Sequence, residues 1–234
     1  MSALPQIRGL HAFYGDAQVL HGVGLEVGRG EIVALLGRNG AGRSSTLKAA
    51  MGMLRGTGSV LLDGVELSGL KTFQIARQGL AYVPEERAVF PSLTVQQNLL
   101  LGQQHDANVE RLDIDAMLGL MPQLAARRDV AAGTLSGGEQ QMLSLCRSLM
   151  GAPKAIMVNG PTEGLAPAMV NVVAQCLQCL REQGLGVLLV EQKLDIALEI
   201  ADRVLVMGRG RIVFAGTTAQ LLGNSDVRRQ WLEI

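Results

Sequence analysis

Three short segments of this chain combine residue types and spacings suited to chemistry on a phosphate. The first is Gly37-Arg38-Asn39-Gly40-Ala41-Gly42-Arg43-Ser44-Ser45, set between an apolar run at residues 32–36 and a helical stretch beginning at Thr46. Its glycines permit a nest of backbone N–H groups around an anion, Arg43 adds a cation, and Ser44 can offer a hydroxyl to a metal ion. The second is Leu135-Ser136-Gly137-Gly138-Glu139-Gln140-Gln141, about twenty residues before the apolar run at 154–158. Here two glycines let backbone N–H groups approach a phosphate, Ser136 adds a hydroxyl, and the helix that follows points its positive end at the anion. The third runs from the strand-like Ala155-Ile156-Met157-Val158 through Asn159-Gly160-Pro161-Thr162-Glu163-Gly164-Leu165-Ala166-Pro167. It would place short polar side chains at the end of a buried strand.

In this order and spacing the three segments resemble the ATP-binding-cassette family, and the resemblance covers almost the whole chain. It makes residues 37–45 a P-loop in all but one residue, 135–141 the signature that acts on nucleotide held by a second subunit, and 155–167 the Walker B strand with its loop. ATP and Mg²⁺ are the implied cofactors. Phosphate contacts then fall on Gly37, Asn39, Gly40, Ala41, Gly42, Arg43, Ser44 and Ser45, with Tyr14 stacked on adenine. Ser136, Gly137 and Gly138 would act on the partner's nucleotide, and Mg²⁺ would meet Ser44, Glu85 and Asn159.

The chain departs from the family's pattern at the positions that matter most for turnover. Arg43 replaces the P-loop lysine; it keeps the charge, but its longer planar fork makes a different contact with phosphates. As the resemblance has it, some amino-acid importer subunits carry this arginine. Asn159-Gly160 stands where the family has Asp-Glu. An amide in place of the metal-anchoring carboxylate removes a charge worth roughly 4 kcal/mol at ~4 Å from a unit charge at an effective dielectric near 20. Gly160 has no side chain to polarise the attacking water, and losing a general base typically reduces rate about 10²–10⁴-fold. Glu163 occupies its usual place in the family's Pro-Thr-Glu-Gly run, so it is not read as a relocated base. Glu85 holds the position of a metal-sensing glutamine and Gln192 that of the switch histidine, so the two degenerate catalytic positions are Gly160 and Gln192.

The elements that must position these residues follow from hydrophobic pattern. Residues near 6–36 and 58–67 read as strands, with Val19, His21, Val23, Leu25 and Val27 alternating with small or polar neighbours as in a half-buried antiparallel sheet. The runs at 32–36, 80–84, 155–158, 187–190 and 204–207 read as buried strands separated by helices. About 87–150 is mainly helical in pattern, with Thr94 a candidate N-cap. The fold class is therefore α/β: a P-loop NTPase core of the cassette type, an N-terminal antiparallel β subdomain and a helical subdomain bearing the signature, all within one ATP-binding domain over 1–234. Cys176 and Cys179 lie where apolar residues recur at helical spacing, and without a second pair they read as helix packing, as does Cys146. His11, His21 and His105 are scattered and support neither a zinc site nor a catalytic cluster.

Composition narrows the function classes. Twenty-one basic and twenty-one acidic residues cancel in 234, which argues against nucleic acid as the main ligand. No apolar run approaches the eighteen or so residues that span a bilayer, and residues 1–8 lack a secretory apolar core, so a cytoplasmic protein on the inner face of the membrane is expected. The absence of a long heptad insertion disfavours DNA-repair cassettes. Two readings stand. One is the energy-coupling ATPase subunit of an importer, with the branched-chain amino-acid subset suggested by Leu165-Ala166-Pro167 and Val190-Glu191-Gln192. The other is a non-hydrolysing structural or regulatory cassette that completes a partner's site. Either implies a second cassette (a different chain or a copy of this one), two membrane-spanning permease subunits and, indirectly, a solute-binding protein. Whether the chain is itself an enzyme stays open, because of Asn159 and Gly160.

Overall fold

The computed structural model describes residues 5–103 and 113–232. His105 lies outside them. Two sheets organise the chain. Strands β1 (Gln6–Tyr14), β2 (Ala17–Glu26), β4 (Arg55–Leu62) and β5 (Val65–Glu66) form an antiparallel sheet in the order β2-β1-β4-β5. A second sheet of six has the order β10-β9-β3-β8-β7-β6, built from β3 (Ile32–Leu36), β6 (Leu80–Val83), β7 (Ala155–Asn159), β8 (Gly186–Val190), β9 (Arg203–Gly208) and β10 (Arg211–Gly216). Its pairings from β9 through β6 are parallel, and β10 closes one edge antiparallel. Every residue of β3, β7 and β8 is buried, the condition of parallel strands covered on both faces.

Ten helices connect these strands among the described residues: α1 (Arg43–Ala50), α2 (Thr72–Gln78), α3 (Val95–Gly102), α4 (Ile114–Gly119), α5 (Pro122–Ala125), α6 (Gly137–Leu149), α7 (Pro167–Glu182), α8 (Leu194–Ile200), α9 (Thr218–Gly223) and α10 (Ser225–Trp231). One apolar core joins the faces of α3, α6 and α7 to β7 and β8, a second lies between the two sheets and α1, and a third sits beneath α8 to α10. Cys146 is fully buried on α6, and Cys176 packs from α7 against the same core, as helical spacing predicts.

Three expectations shift in detail. Helix α1 begins at Arg43 and not at Thr46, so Arg43, Ser44 and Ser45 form its first turn. The segment 87–94 is not helical; the helical region starts at Val95, where Thr94 is the N-cap: its Oγ1 accepts from the Gln97 amide at 3.1 Å while Gln97 Oε1 accepts from the Thr94 amide at 2.9 Å. Along β2 the buried residues are Leu20, Val23 and Leu25, with Val19 and His21 only partly covered. Irregular register between β1 and β2 near His11 explains this, since a one-residue slip exchanges the two faces of a strand.

The β4–β5 hairpin contains a titratable clamp. Glu66 accepts from the Ser59 hydroxyl and from the amides of Val60 and Ser68. Slight burial works against its charged form, but these donors outweigh it and hold the carboxyl at about 2. A folded value below the unfolded one stabilises the fold above the unfolded pKa, near 4.5, and that contribution is lost as pH falls from there towards 2. The carboxylate is exposed, so the contribution is screened to less than about 1 kcal/mol. Glu66→Gln should therefore lower stability slightly at pH 7 and not at pH 2; equal urea midpoints for the two proteins at pH 7 would count against the clamp.

Candidate nucleotide site

The glycine-rich loop leaves the buried central strand β3 and enters α1 through Gly42, whose φ of +108° favours glycine. A Cβ there would press on Leu20 Cδ2 at 3.0 Å and Met207 Cε at 3.2 Å. Helix α1 has no acidic residue in its first turn and no side-chain cap. Its positive end is therefore left for an anion.

Arg43 is buried at 7% exposure. Its Nη1 donates to the Glu191 carbonyl at 2.8 Å and Nη2 to Asn39 Oδ1 at 3.1 Å. Burial lowers its pKa, opposed by the negative charges of Glu191, Glu85 and Glu163. Ser44 Oγ donates to Asn159 Oδ1 at 3.2 Å, and Asn159 Nδ2 donates to Glu85 Oε2 at 3.4 Å. A hydrogen-bonded chain thus links the P-loop serine, the end of β7 and the loop after β6.

Gly160 takes a left-handed φ of +54°, and a Cβ there would meet Glu85 Cγ at 3.4 Å and Glu163 Oε2 at 3.6 Å. Two carboxyl groups converge on the position that lacks a side chain. Burial raises the Glu85 pKa, and the neighbouring Glu163 and Glu86 raise it further, against the pull of Arg43. Glu163 Oε2 accepts from Gln192 Nε2 at 3.2 Å, so Glu163 and Gln192, remote in the chain, are neighbours. The buried Glu191 fixes the base of this loop: Oε2 accepts from Thr162 Oγ1 and Oε1 from the Gln192 amide, each at 2.9 Å. Tyr14, at the end of β1, is 48% exposed.

A divalent ion suits these donors. Mg²⁺ takes oxygen ligands and is commonly held by one or two carboxylates together with substrate phosphates. Ser44, Asn159 and Glu85 offer a hydroxyl, an amide oxygen and a carboxylate in one connected chain. Among the described residues no group of three or more His, Cys, Asp or Glu side chains could cage a metal unaided. Such an ion, if bound, would need most of its ligands from phosphate and water.

The signature is a separate construction. Ser136 is the N-cap of α6, its Oγ accepting from the Glu139 amide at 3.3 Å while Glu139 Oε2 accepts from the Ser136 amide at 2.8 Å. Arg127 pairs with Glu139 at 3.0 Å. Slight burial raises the Glu139 pKa, but the bonds to Ser136 and the charge of Arg127 outweigh it, so the net shift is downward. The reciprocal cap fixes where Gly137 and Gly138 begin the helix.

A strand, glycine-rich loop and helix, with a capped Ser-Gly-Gly helix on an attached helical region, is the arrangement the cassette resemblance implies, and the family's sequence profile, described as ABC transporter, matches residues 20–163. The chain belongs to the ABC transporter ATP-binding family. It is 44% identical over 222 residues to the high-affinity branched-chain amino acid transport ATP-binding protein BraG of Pseudomonas aeruginosa, covering 94% of this chain and 95% of that one. It is 32% identical over 230 residues to the lipopolysaccharide export system ATP-binding protein LptB of Escherichia coli K12, covering 96% and 95%. Among solved structures it is similar in fold to a nucleotide-free ATP-binding cassette from an ABC transporter, with a TM-score of 0.84 at 23% identity, covering 100% and 99% of the two chains. No helix of the described residues is long and apolar enough to cross a membrane.

Sequence reasoning found the loops but missed some of their mutual contacts. Glu163, an ordinary member of its run by sequence, brings its carboxylate up to Gly160; Glu191, read only as part of Val190-Glu191-Gln192, anchors Thr162 and Gln192 and receives Arg43. Its place after the apolar run 187–190 gives no sign of that anchoring role.

Proposed function

We propose that this chain is the ATP-binding subunit of an importer for branched-chain amino acids, that its own site binds Mg-ATP with little turnover, and that its signature completes a partner cassette's productive site. The observation that carries the division of labour is the contrast between Gly160, side-chain-free and left-handed at +54°, and the fully capped signature helix. The 44% identity to BraG over nearly the full chain supports the transported class.

On this reading adenine stacks on Tyr14 and the phosphates sit among the amides of residues 37–45. Arg43 leaves the Glu191 carbonyl to meet them. Mg²⁺, when bound, neutralises phosphate charge, with Ser44, Asn159 and Glu85 as its protein-side oxygens. Asn159 brings no charge to the dication, Gly160 accepts no proton from water, and Gln192 offers the terminal phosphate an amide in place of an imidazole. Glu163 does not replace the base, because it keeps its ordinary place in the Pro-Thr-Glu-Gly run. Binding survives and the chemical step is left without its base. In the second cassette an intact lysine and carboxylate pair would supply what is missing here, while Ser136, Gly137 and Gly138 approach the nucleotide held there.

The surface for the permease fits a cleft of about 1000 Å³ lined by Met51, Met53, Arg77, Phe90, Leu101 and Arg147. Phe90 is 50% exposed beneath Arg147, whose guanidinium lies 5.1 Å from the ring centroid. Buried Asn98 fixes the loop carrying Phe90, accepting from the Phe90 amide at 2.9 Å and donating to its carbonyl at 3.0 Å. An apolar ring with flanking cations suits a short helix of a membrane subunit. Phe90→Asp should weaken co-purification with the permease at least about 30-fold, the scale of a lost interface hot spot, with nucleotide affinity unchanged. An intact complex carrying Phe90→Asp would remove this cleft from the account.

The functional test is uptake. Neighbouring reading frames are expected to encode two membrane subunits, a second cassette with intact lysine, aspartate and glutamate, and a secreted binding protein. Cells lacking this chain should lose energised uptake of radiolabelled leucine, isoleucine and valine and regain it on complementation. Unchanged uptake of all three would reject the importer assignment.

A further inference from the structure

The loop after β6 holds Arg87 at φ +46°, a left-handed conformation that a long side chain adopts only when its surroundings impose it. Its guanidinium reaches two other segments. Nη2 donates to the Glu163 carbonyl at 3.3 Å, in the loop after β7. A Cβ built on Gly164 would stand 3.0 Å from the same nitrogen, and a Cβ built on Gly137 would overlap Nη1 and come within 2.8 Å of Cζ. A side chain at position 137 would displace the Arg87 guanidinium, the mobile end of a long side chain, so the absence of a Cβ at Gly137 is what lets Arg87 rest against the first turn of the signature helix.

A cation over the positive end of a helix is unfavourable on its own. The Glu163 carbonyl holds it there, and the fork lets Nη1 approach Gly137 while Nη2 serves the other loop. The joined segments are the first turn of the signature helix and the loop that carries Glu163 beside Gly160. Both flank the chemistry assigned above, and they belong to different parts of the fold.

We propose that Arg87 is a positioning residue for the site this chain completes in its partner, tying the signature's first turn to the loop after β7 so that Ser136, Gly137 and Gly138 are held in one place when the partner's nucleotide arrives. This rests on the reading that the signature acts on the partner's nucleotide. The Arg87 side chain donates to the loop after β7 and does not line the cleft of Phe90, so its effect is separable from those of the P-loop and the cleft.

The test compares Arg87→Ala, Arg87→Met and Arg87→Lys in the complex reconstituted with its partner cassette and permease. Methionine preserves the reach and apolar packing of the stem and removes the donors, which covers a failure of the alanine variant to fold. Alanine and methionine should lower kcat about 10- to 100-fold at saturating ATP with KM within twofold, because ground-state nucleotide is held by the partner's P-loop. Lysine should recover part of the loss, since it can donate to the Glu163 carbonyl but has no fork to reach Gly137 at the same time. Nucleotide affinity of the isolated chain should not change. A kcat within twofold of the unmodified complex for Arg87→Met, or a raised KM at unchanged kcat, would overturn the proposal. Should Ser136→Arg also leave turnover intact, the failure lies with the trans reading, and amide hydrogen exchange on the isolated chain then decides the tie itself. Exchange rising together at 136–140 and 163–165 in Arg87→Met supports it, and unchanged exchange at either segment refutes it.

Discussion

Replacing Ser136 by arginine is expected to suppress ATP hydrolysis by the whole complex at least about 100-fold, the scale of removing preorganised donors from a developing charge. On the proposed reading, the arginine would drive a bulky side chain into the space where the Ser136 hydroxyl and the first amides of α6 meet the partner's phosphates. It would also remove the N-cap, since Ser136 Oγ accepts from the Glu139 amide. Loss of a cap costs about 1 kcal/mol of stability. Ser136→Ala separates the two effects, because it removes the cap without filling the site. Ser44→Ala should change turnover less than about twofold, because on the proposed reading Ser44 serves only this chain's own site, where Gly160 supplies no base. Heterodimers reconstituted with each variant and assayed at saturating nucleotide give the comparison. Equal losses, or a larger loss from Ser44→Ala, would refute the division between the two sites.

The converse experiment restores the missing groups. Asn159→Asp with Gly160→Glu is expected to raise hydrolysis at this chain's own site by about 10²-fold or more, in any assembly that dimerises. The geometry predicts a destabilisation alongside the gain. A glutamate at 160 inherits a φ of +54°, a conformation that costs a non-glycine residue about 1–3 kcal/mol if the loop does not relax. Its Cβ would stand 3.4 Å from Glu85 Cγ and 3.6 Å from Glu163 Oε2, bringing a third carboxylate to the pair. Aspartate at 159 loses the donor that Asn159 Nδ2 provides to Glu85 and leaves two anions face to face. The double variant should therefore melt below the parent in EDTA and recover with Mg-ATP. A variant as stable as the parent without metal would show that Glu85 and Glu163 do not face position 160 in solution.

The parts of the fold that could be read in advance are those set by local pattern. Buried runs at 32–36, 155–158 and 187–190 are strands, the Thr94 cap starts a helix, and the glycine-rich loop lies between strand and helix, because each depends on neighbours in sequence. The inward face of β2 departs from simple alternation at its start because irregular pairing with β1 moves Leu20 inward, and such a shift depends on the partner strand. The site shows the same division. Arg43, Ser44, Asn159 and Gly160 carry their chemistry in type and position. The approach of Glu163 to Gly160, the Arg43 bond to the Glu191 carbonyl and the reach of Arg87 to Gly137 each join loops that meet only when the parallel sheet aligns its strand ends.

Steady-state ATP hydrolysis by the purified, unmodified chain tests the central claim most directly, provided nucleotide binding is measured on the same preparation. The account predicts saturable Mg-ATP binding, weakened by Ser44→Ala, with phosphate release indistinguishable from that of the Ser44→Ala protein. Hydrolysis at ordinary cassette rates, rising with protein concentration and abolished by Ser44→Ala, would contradict it.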